Sequence, residues 1–126
     1  MSICNIPISI GELFDKYSIL LIKLEKITNT EKLIYINKEL DYLKPFINKY
    51  NIDNNLFTNL FTVNKKLWEI EDRIRQKEHN KKFDDEFIEL ARSVYITNDI
   101  RADIKKQINI LLNSDIMEIK NYNYYN

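Results

Sequence analysis

The chain has 126 residues, and its 19 basic and 19 acidic side chains give a formal net charge of zero. This length fits one domain with one modest core, and 44% hydrophobic residues with 12% aromatics are typical of a globular protein rather than a disordered one. A zero net charge excludes an overall field that attracts nucleic acid or an anionic membrane, so we expect neither as a partner.

The first predicted helix begins near Ser9. Ser9 and Glu12 have the spacing of a capping box, and Ile8 and Leu13 have that of a hydrophobic staple. Apolar or aromatic side chains then recur at spacings of three and four, at positions 10, 13, 17, 20, 24 and 27. This spacing predicts an amphipathic helix with one buried seam.

A second helix is predicted to start at Thr28 or Thr30, with Glu31 in its first turn. Its apolar positions are 33, 36, 40, 43 and 47. Pro45 is predicted to bend or end this helix near Lys44, because the residue before a proline avoids the helical conformation.

A third helix is predicted after the polar stretch 48–55, with Asp53 or Asn54 as its cap. From Leu56 onward its seam occupies positions 60, 63, 67, 70 and 74. The polar segment "KEHNKK", residues 77–82, is predicted to end it.

The fourth helix is predicted to begin at Asp84 or Asp85 and to run to about Asn113, with a shift of apolar phase near Ile96 that suggests a kink. The segment after the fourth helix has too little periodicity to be assigned, and both terminal segments are expected to be short and irregular. Seams of this type joined by short connections predict an all-α fold, an antiparallel bundle of four main helices. We expect it to form a single domain over residues 1–126.

One face of the fourth predicted helix is apolar at both ends and polar in the middle, where Asn98, Arg101 and Lys105 follow one another at spacings of three and four. Polar groups on a core-facing line must be paired internally or meet a ligand, because an unpaired buried charge is costly. Internal pairing predicts an ion pair from Arg101 to Glu71 or Asp72. Ligand binding predicts a site for a small anion, such as phosphate or carboxylate.

Further polar side chains lie on lines that flank the seams of the other helices. In the third helix they include Glu71 and Arg75, one turn beyond Trp68, and in the first helix Lys16 lies on one flank and Asp15 on another. If the helices pack with their middles together, acids and bases from three helices converge. The candidate ligand-binding residues are Arg101, Asn98, Lys105, Glu71, Arg75, Arg92, Trp68 and Lys16.

Metal chemistry is an alternative. Glu69 and Asp72 form an E-x-x-D pair, and Glu86 and Glu89 form an E-x-x-E pair, so each pair shares a helix face that could hold Mg²⁺. All-helical nucleotide pyrophosphohydrolases use such pairs, but with E-x-x-E before E-x-x-D, the reverse of the order here. A Mg²⁺-dependent nucleotide hydrolase is therefore the weaker alternative, and no residue is assigned a catalytic or cofactor-binding role.

Three segments, "IPISIGELFDKYSILLIKLEKI", "VNKKLWEIEDRIR" and "FIELARSVYITNDIRADIKKQINILL", cover most of the chain. Together they resemble a small family of functionally uncharacterised bacterial and viral helical proteins of about this length. The resemblance carries no established activity. It implies that members of the family occur near glycan-assembly enzymes, which favours a nucleotide-sugar or phosphosugar as the anionic ligand.

The leading hypothesis is thus a small helical protein that binds an anionic ligand through an Arg/Lys/Asn patch between helices. The alternative is a helical interaction module or homodimer in which the buried charges are structural. We expect a cytoplasmic protein, since no apolar run approaches the ~20 residues of a membrane span, the first residues lack the features of a signal peptide, and a lone Cys4 cannot form an internal disulfide.

Overall fold

The computed structural model describes residues 2–123 and residue 125, and it contains no strand in this part of the chain. It has four helices, α1 (Ile10–Lys26), α2 (Thr30–Ile47), α3 (Asn54–His79) and α4 (Asp85–Leu111). The predicted all-α fold with four main helices is confirmed. The flanking segments are irregular, as predicted, over their described residues, and Met1, Tyr124 and Asn126 lie outside these. None of the four helices is long and apolar enough to cross a membrane.

Each helix begins after a side chain that accepts a hydrogen bond from an otherwise free backbone N–H. The four caps are Ser9, Asn29, Asp53 and Asp84. Ser9 was expected from its spacing to Glu12, and Asp53 and Asp84 are each one of the two starts predicted for their helices. α2 begins at Thr30, one of the two predicted starts, and its cap is the amide oxygen of Asn29, which accepts from the N–H of Lys32 at 3.0 Å.

α3 ends at His79, within the segment 77–82 that was predicted to end it, whereas the ends of α2 and α4 differ from the predictions by three and two residues. α2 continues through Pro45 to Ile47, because a proline in the last turn removes one hydrogen bond while the remaining residues still complete the turn. α4 is continuous, so the predicted kink near Ile96 does not interrupt it. It ends at Leu111, where Asn113 takes a left-handed conformation with φ of 54°, as asparagine often does after a helix.

α1 is the element shared by the whole fold. It lies next to each of the other three helices, whereas α2, over the described residues, lies next to no helix other than α1. One core cluster joins α1 to α3 and α4 through Phe14, Leu60, Ile104 and Ile108. A second joins α1 to α2 through Leu20, Ile36 and Leu40. α1 therefore has two buried sides, and the side that faces α3 and α4 carries the polar residues described next.

Candidate functional site

A line of small and polar residues runs along the buried side of α1 and ends at an apolar residue. It consists of Gly11, Asp15 and Ser18, followed by Ile22, spaced by four, three and four, which places them on one helix face. Asp15 is only 1% exposed and Ser18 is fully buried. The fold thus places a carboxylate inside the packed interior, where it needs partners.

The main partner of Asp15 is Arg101 of α4. The Nε of Arg101 donates to Oδ1 of Asp15 at 3.0 Å and its Nη2 donates to Oδ2, so the guanidinium binds the carboxylate through two parallel hydrogen bonds. Asn64 of α3 adds a third, from Nδ2 to Oδ1 at 2.8 Å, and lies 2.7 Å from the Ser18 hydroxyl. Side chains from α1, α3 and α4 therefore meet at one buried negative charge.

Lys105 lies one turn further along α4, with only 8% of its side chain exposed. Its ammonium group is 2.7 Å from Glu12, 3.1 Å from Glu118 and 3.5 Å from Asp15. Glu12 and Asp15 belong to α1, whereas Glu118 belongs to the segment after α4. We call these four residues together with Arg101 the charge cluster.

The contact with Lys105 changes the role of Glu12. The Ser9 hydroxyl accepts from the N–H of Glu12 at 3.1 Å, as a capping box requires. The carboxylate of Glu12, however, bonds Lys105 instead of returning to the N–H of Ser9. Only half of the predicted capping box forms, because the buried ammonium of Lys105 is the stronger partner for a carboxylate.

The surroundings of Asp15 and Lys105 favour the charged forms of these two groups. Burial by itself raises the pKa of Asp15, but hydrogen bonds from Arg101 and Asn64 and the charges of Arg101 and Lys105 outweigh it and hold this pKa below its usual value. Burial likewise lowers the pKa of Lys105, but the bond with Glu12 and the charge of Asp15 outweigh it and raise this pKa. Asp15 and Lys105 are therefore ionised groups that are paired within the cluster.

The start of α1 is bound tightly to the end of α4. The N–H of Gly11 donates to Oδ1 of Asn109 at 2.6 Å, and the N–H of Ile10 donates to the hydroxyl of Ser114 at 3.1 Å. Backbone N–H groups at a helix start can bind anions. Here those of residues 10–12 already have partners within the chain, so this helix start is not an open anion site.

A groove of about 1310 Å³ lies between α4 and the segment that follows it. Asn98, Lys105 and Asn109 line it on the helix side, and Glu118 lines it on the other. Arg101 is not among the lining residues, since its guanidinium is turned toward Asp15. The charge cluster therefore meets the groove through Lys105 and Glu118.

The structure brings together three of the eight predicted ligand-binding residues. Arg101 donates from Nη1 to Oδ1 of Asn98 at 3.3 Å. Lys105 shares a partner with Arg101, since its ammonium group lies 3.5 Å from the carboxylate of Asp15. The hypothesis of internal pairing predicted an ion pair of Arg101 with Glu71 or Asp72. Arg101 is paired internally, but its partner is Asp15.

The other five predicted residues lie elsewhere. Glu71 and Arg75 pair with each other at 3.1 Å on the exposed side of α3. Arg92 pairs with Glu89 at 3.0 Å. Trp68 is half-buried on α3 and Lys16 is exposed on α1.

The predicted metal candidates do not converge. Glu86 pairs with Arg73 and Lys77, Glu89 pairs with Arg92, and Glu69 and Asp72 are exposed on α3. Over residues 2–123 and 125, no three carboxylate, imidazole or thiol side chains are arranged so that they could hold a metal ion.

Several residues of the site escaped the sequence-based prediction, namely Asp15 as the partner of Arg101, and Ser18, Asn64, Asn109 and Glu118. For α1 a signal existed, since Gly11, Asp15, Ser18 and Ile22 form a second helical line beside the apolar seam. Glu118 had no such signal, because it lies in a segment without periodicity.

Comparisons with known proteins place the chain in a family without supplying an activity. No curated protein and no solved structure matches it. A family described as of unknown function matches residues 4–125, a span that contains all four helices and every residue of the charge cluster. The predicted resemblance to a family without an assigned function is thereby confirmed, and the chain belongs to that family, DUF6165.

Proposed function

We propose that this protein binds a small anionic ligand, a phosphate, a carboxylate or a nucleotide-sugar, in the groove between α4 and the segment after it. The observation that carries this proposal is the position of Lys105. Its nearly buried ammonium group lines the groove, and one of its three carboxylate partners, Glu118, comes from a segment outside the helices. The side chain of Glu118 is 41% exposed, so an external anion can replace it without separating two helices.

Charge balance permits this exchange. The four cluster residues on helices, Glu12, Asp15, Arg101 and Lys105, carry two negative and two positive charges. Glu118 is balanced by Lys120, 3.0 Å away on the same segment. An anion that takes the position of Glu118 therefore meets an ammonium in a partly desolvated setting, where charge-assisted hydrogen bonds are strong.

The three residues that the sequence singled out take different roles in this proposal. Lys105 contacts the anion, and the amide of Asn98, further along the groove, supplies a polar contact. Arg101 acts by positioning, since it fixes Asp15, which in turn lies 3.5 Å from Lys105. A nucleotide-sugar, and with it a link to glycan metabolism, enters the proposal through the family resemblance.

Binding of inorganic phosphate, acetate and a nucleotide-sugar by isothermal titration calorimetry tests the proposal. We expect Lys105→Gln to weaken binding at least about tenfold, which corresponds to about 1.4 kcal/mol of binding free energy. Lys16→Gln removes the same charge from an exposed site on α1 and should leave the affinity unchanged. Circular dichroism checks that each variant is folded.

If Lys105→Gln fails to fold, the double variant Glu12→Gln/Lys105→Gln replaces it, because removing both partners leaves no unpaired charge between them. Two results would refute the anion site. The first is that neither the unmodified protein nor Glu118→Gln, which frees Lys105 from Glu118, binds any of these anions. The second is that the Lys105 variants bind them as tightly as the unmodified protein does.

A second candidate function, a homodimer or interaction module, is favoured by the exposed surface of α2. Ile34, Tyr35, Tyr42 and Phe46 are all more than half exposed, and Tyr35 reaches 74%. These side chains belong to a helix that, over the described residues, lies next to no helix other than α1. Contiguous exposed apolar surface is typical of protein–protein contact sites.

Multi-angle light scattering tests this candidate. A homodimer through α2 should give twice the 15.2 kDa of one chain, and the double variant Tyr35→Glu/Tyr42→Glu should return the mass to that of a monomer because it introduces like charges into an apolar contact. Ile88→Glu, at an exposed apolar position of α4, is the matched control. A monomeric mass for the unmodified protein at high concentration rejects the homodimer.

A further inference from the structure

We propose that Glu118 is an internal competitor for the anion, so that its carboxylate occupies the ligand position on Lys105 and ligand binding releases the middle of the segment after α4. This inference rests on the proposed anion site and specifies how that site is regulated. It follows from the difference between Glu118 and the other carboxylates of the charge cluster.

Glu12 and Asp15 are fixed in place by the helix that carries them. Both lie in the first two turns of α1, and Asp15 is further held by Arg101 and Asn64. Removing Asp15, which is 1% exposed, from Lys105 would require α1 to move away from α4, whereas Glu12 can turn only its side chain, because its backbone is held in the first turn of α1. Glu118 belongs to no helix, and its contact with Lys105 breaks when a side chain and a short length of backbone move.

The segment is attached to the helices on both sides of Glu118. On one side the Ser114 hydroxyl accepts from the N–H of Ile10 at 3.1 Å. On the other side the hydroxyl of Tyr125 donates to Asp99 at 2.6 Å, and its ring packs edge-on against Tyr95 at a centroid distance of 5.2 Å. Because both attachments lie outside the charge cluster, the middle of the segment can move away while its two ends stay in place.

Lys120 reduces the cost of this movement. It lies 3.0 Å from Glu118, and its hydrogen bond, followed by that of Lys105, lowers the pKa of Glu118. When an external anion displaces the carboxylate from Lys105, Glu118 keeps a cationic partner on its own segment. The exchange thus replaces one ion pair by another and leaves no charge unpaired.

Titration of the full chain with inorganic phosphate tests the proposal through Glu118→Gln. Phosphate can bind only to molecules in which Glu118 has left Lys105. The apparent affinity for phosphate is therefore the intrinsic affinity multiplied by the fraction of such molecules. If the segment leaves Lys105 free in about a tenth of the molecules, removing the competing charge raises the phosphate affinity about tenfold. Asp115→Asn removes an exposed carboxylate from the same segment and should leave the affinity unchanged.

Limited trypsin digestion provides a second measurement that does not depend on affinity. Phosphate should speed cleavage after Lys120 in the unmodified protein, because a protease needs a locally detached segment, and Glu118→Gln should show this faster cleavage without phosphate. Tighter phosphate binding by Glu118→Gln together with this cleavage pattern supports the internal competitor. Lys105-dependent phosphate binding that is equal in Glu118→Gln and the unmodified protein overturns it and leaves the anion site intact. Absence of phosphate binding to both proteins overturns the anion site itself, and the competitor with it.

Discussion

Replacing Arg101 by leucine is expected to lower the free energy of unfolding by about 3–5 kcal/mol, the usual cost of removing one partner of a buried ion pair. Asp15 is 1% exposed and loses two hydrogen bonds from the guanidinium. Asn64 and Lys105, at 2.8 and 3.5 Å, remain beside it but cannot replace both bonds. The carboxylate is then buried with an incomplete set of partners, which is costly in a medium of low dielectric constant.

Urea denaturation measures this loss, and Arg75→Leu is its control. Arg75 also pairs with a carboxylate, Glu71, but on the exposed side of α3, where such pairs contribute about 0–1 kcal/mol. The double variant Asp15→Asn/Arg101→Leu should be less destabilised than the sum of its single variants, since the two residues act as one unit. A loss of less than about 1 kcal/mol for Arg101→Leu would contradict a buried, interdependent pair.

Replacing Gly11 by alanine is expected to destabilise the protein by about 1–3 kcal/mol, although alanine in a helix is favoured over glycine by about 1 kcal/mol. A Cβ atom at this position would lie 2.5 Å from the backbone oxygen of Lys105 and 2.9 Å from Oδ1 of Asn109. The backbone oxygen cannot rotate away as a side chain can. α1 and α4 must therefore separate, which weakens the bonds from Gly11 to Asn109 and from Lys105 to Glu12.

Thermal and urea unfolding of Gly11→Ala, compared with Lys16→Ala, check this expectation. Lys16 lies on the exposed side of the same helix, so its replacement should change the free energy of unfolding by no more than about 0.5 kcal/mol. An alanine variant at position 11 as stable as the unmodified protein would show that the two helices do not approach this closely.

The helices were predictable because the signals that start and stop them are local. Ser9, Asp53 and Asp84 each bond a backbone N–H within three residues of themselves, so a short window of sequence contains both partners. The polar patch on α4 was visible for the same reason. Asn98, Arg101 and Lys105 interrupt an apolar line within two turns.

The partners of that patch were not predictable in the same way. Whether Arg101 meets Asp15 of α1 or an acid of α3 depends on how far each helix is rotated about its axis, and the spacing of apolar residues leaves this rotation open by tens of degrees. The approach permitted by Gly11 selects the rotation that turns Asp15 toward α4. Glu118 reaches Lys105 from an irregular segment, where no periodicity indicates the direction of a side chain.

The contacts between the start of α1 and the end of α4 also constrain the order of folding. They join residues 10–15 to residues 101–114, at separations of 86 to 104 positions along the chain. Forming them requires a long loop to close before any of their energy is gained. Before Arg101 and Lys105 are in place, docking of α1 would bury the charge of Asp15 without a cationic partner, which is unfavourable in free energy. We therefore expect α1, although it precedes the other three helices in the chain, to dock only after α3 and α4 have formed the surface that neutralises it.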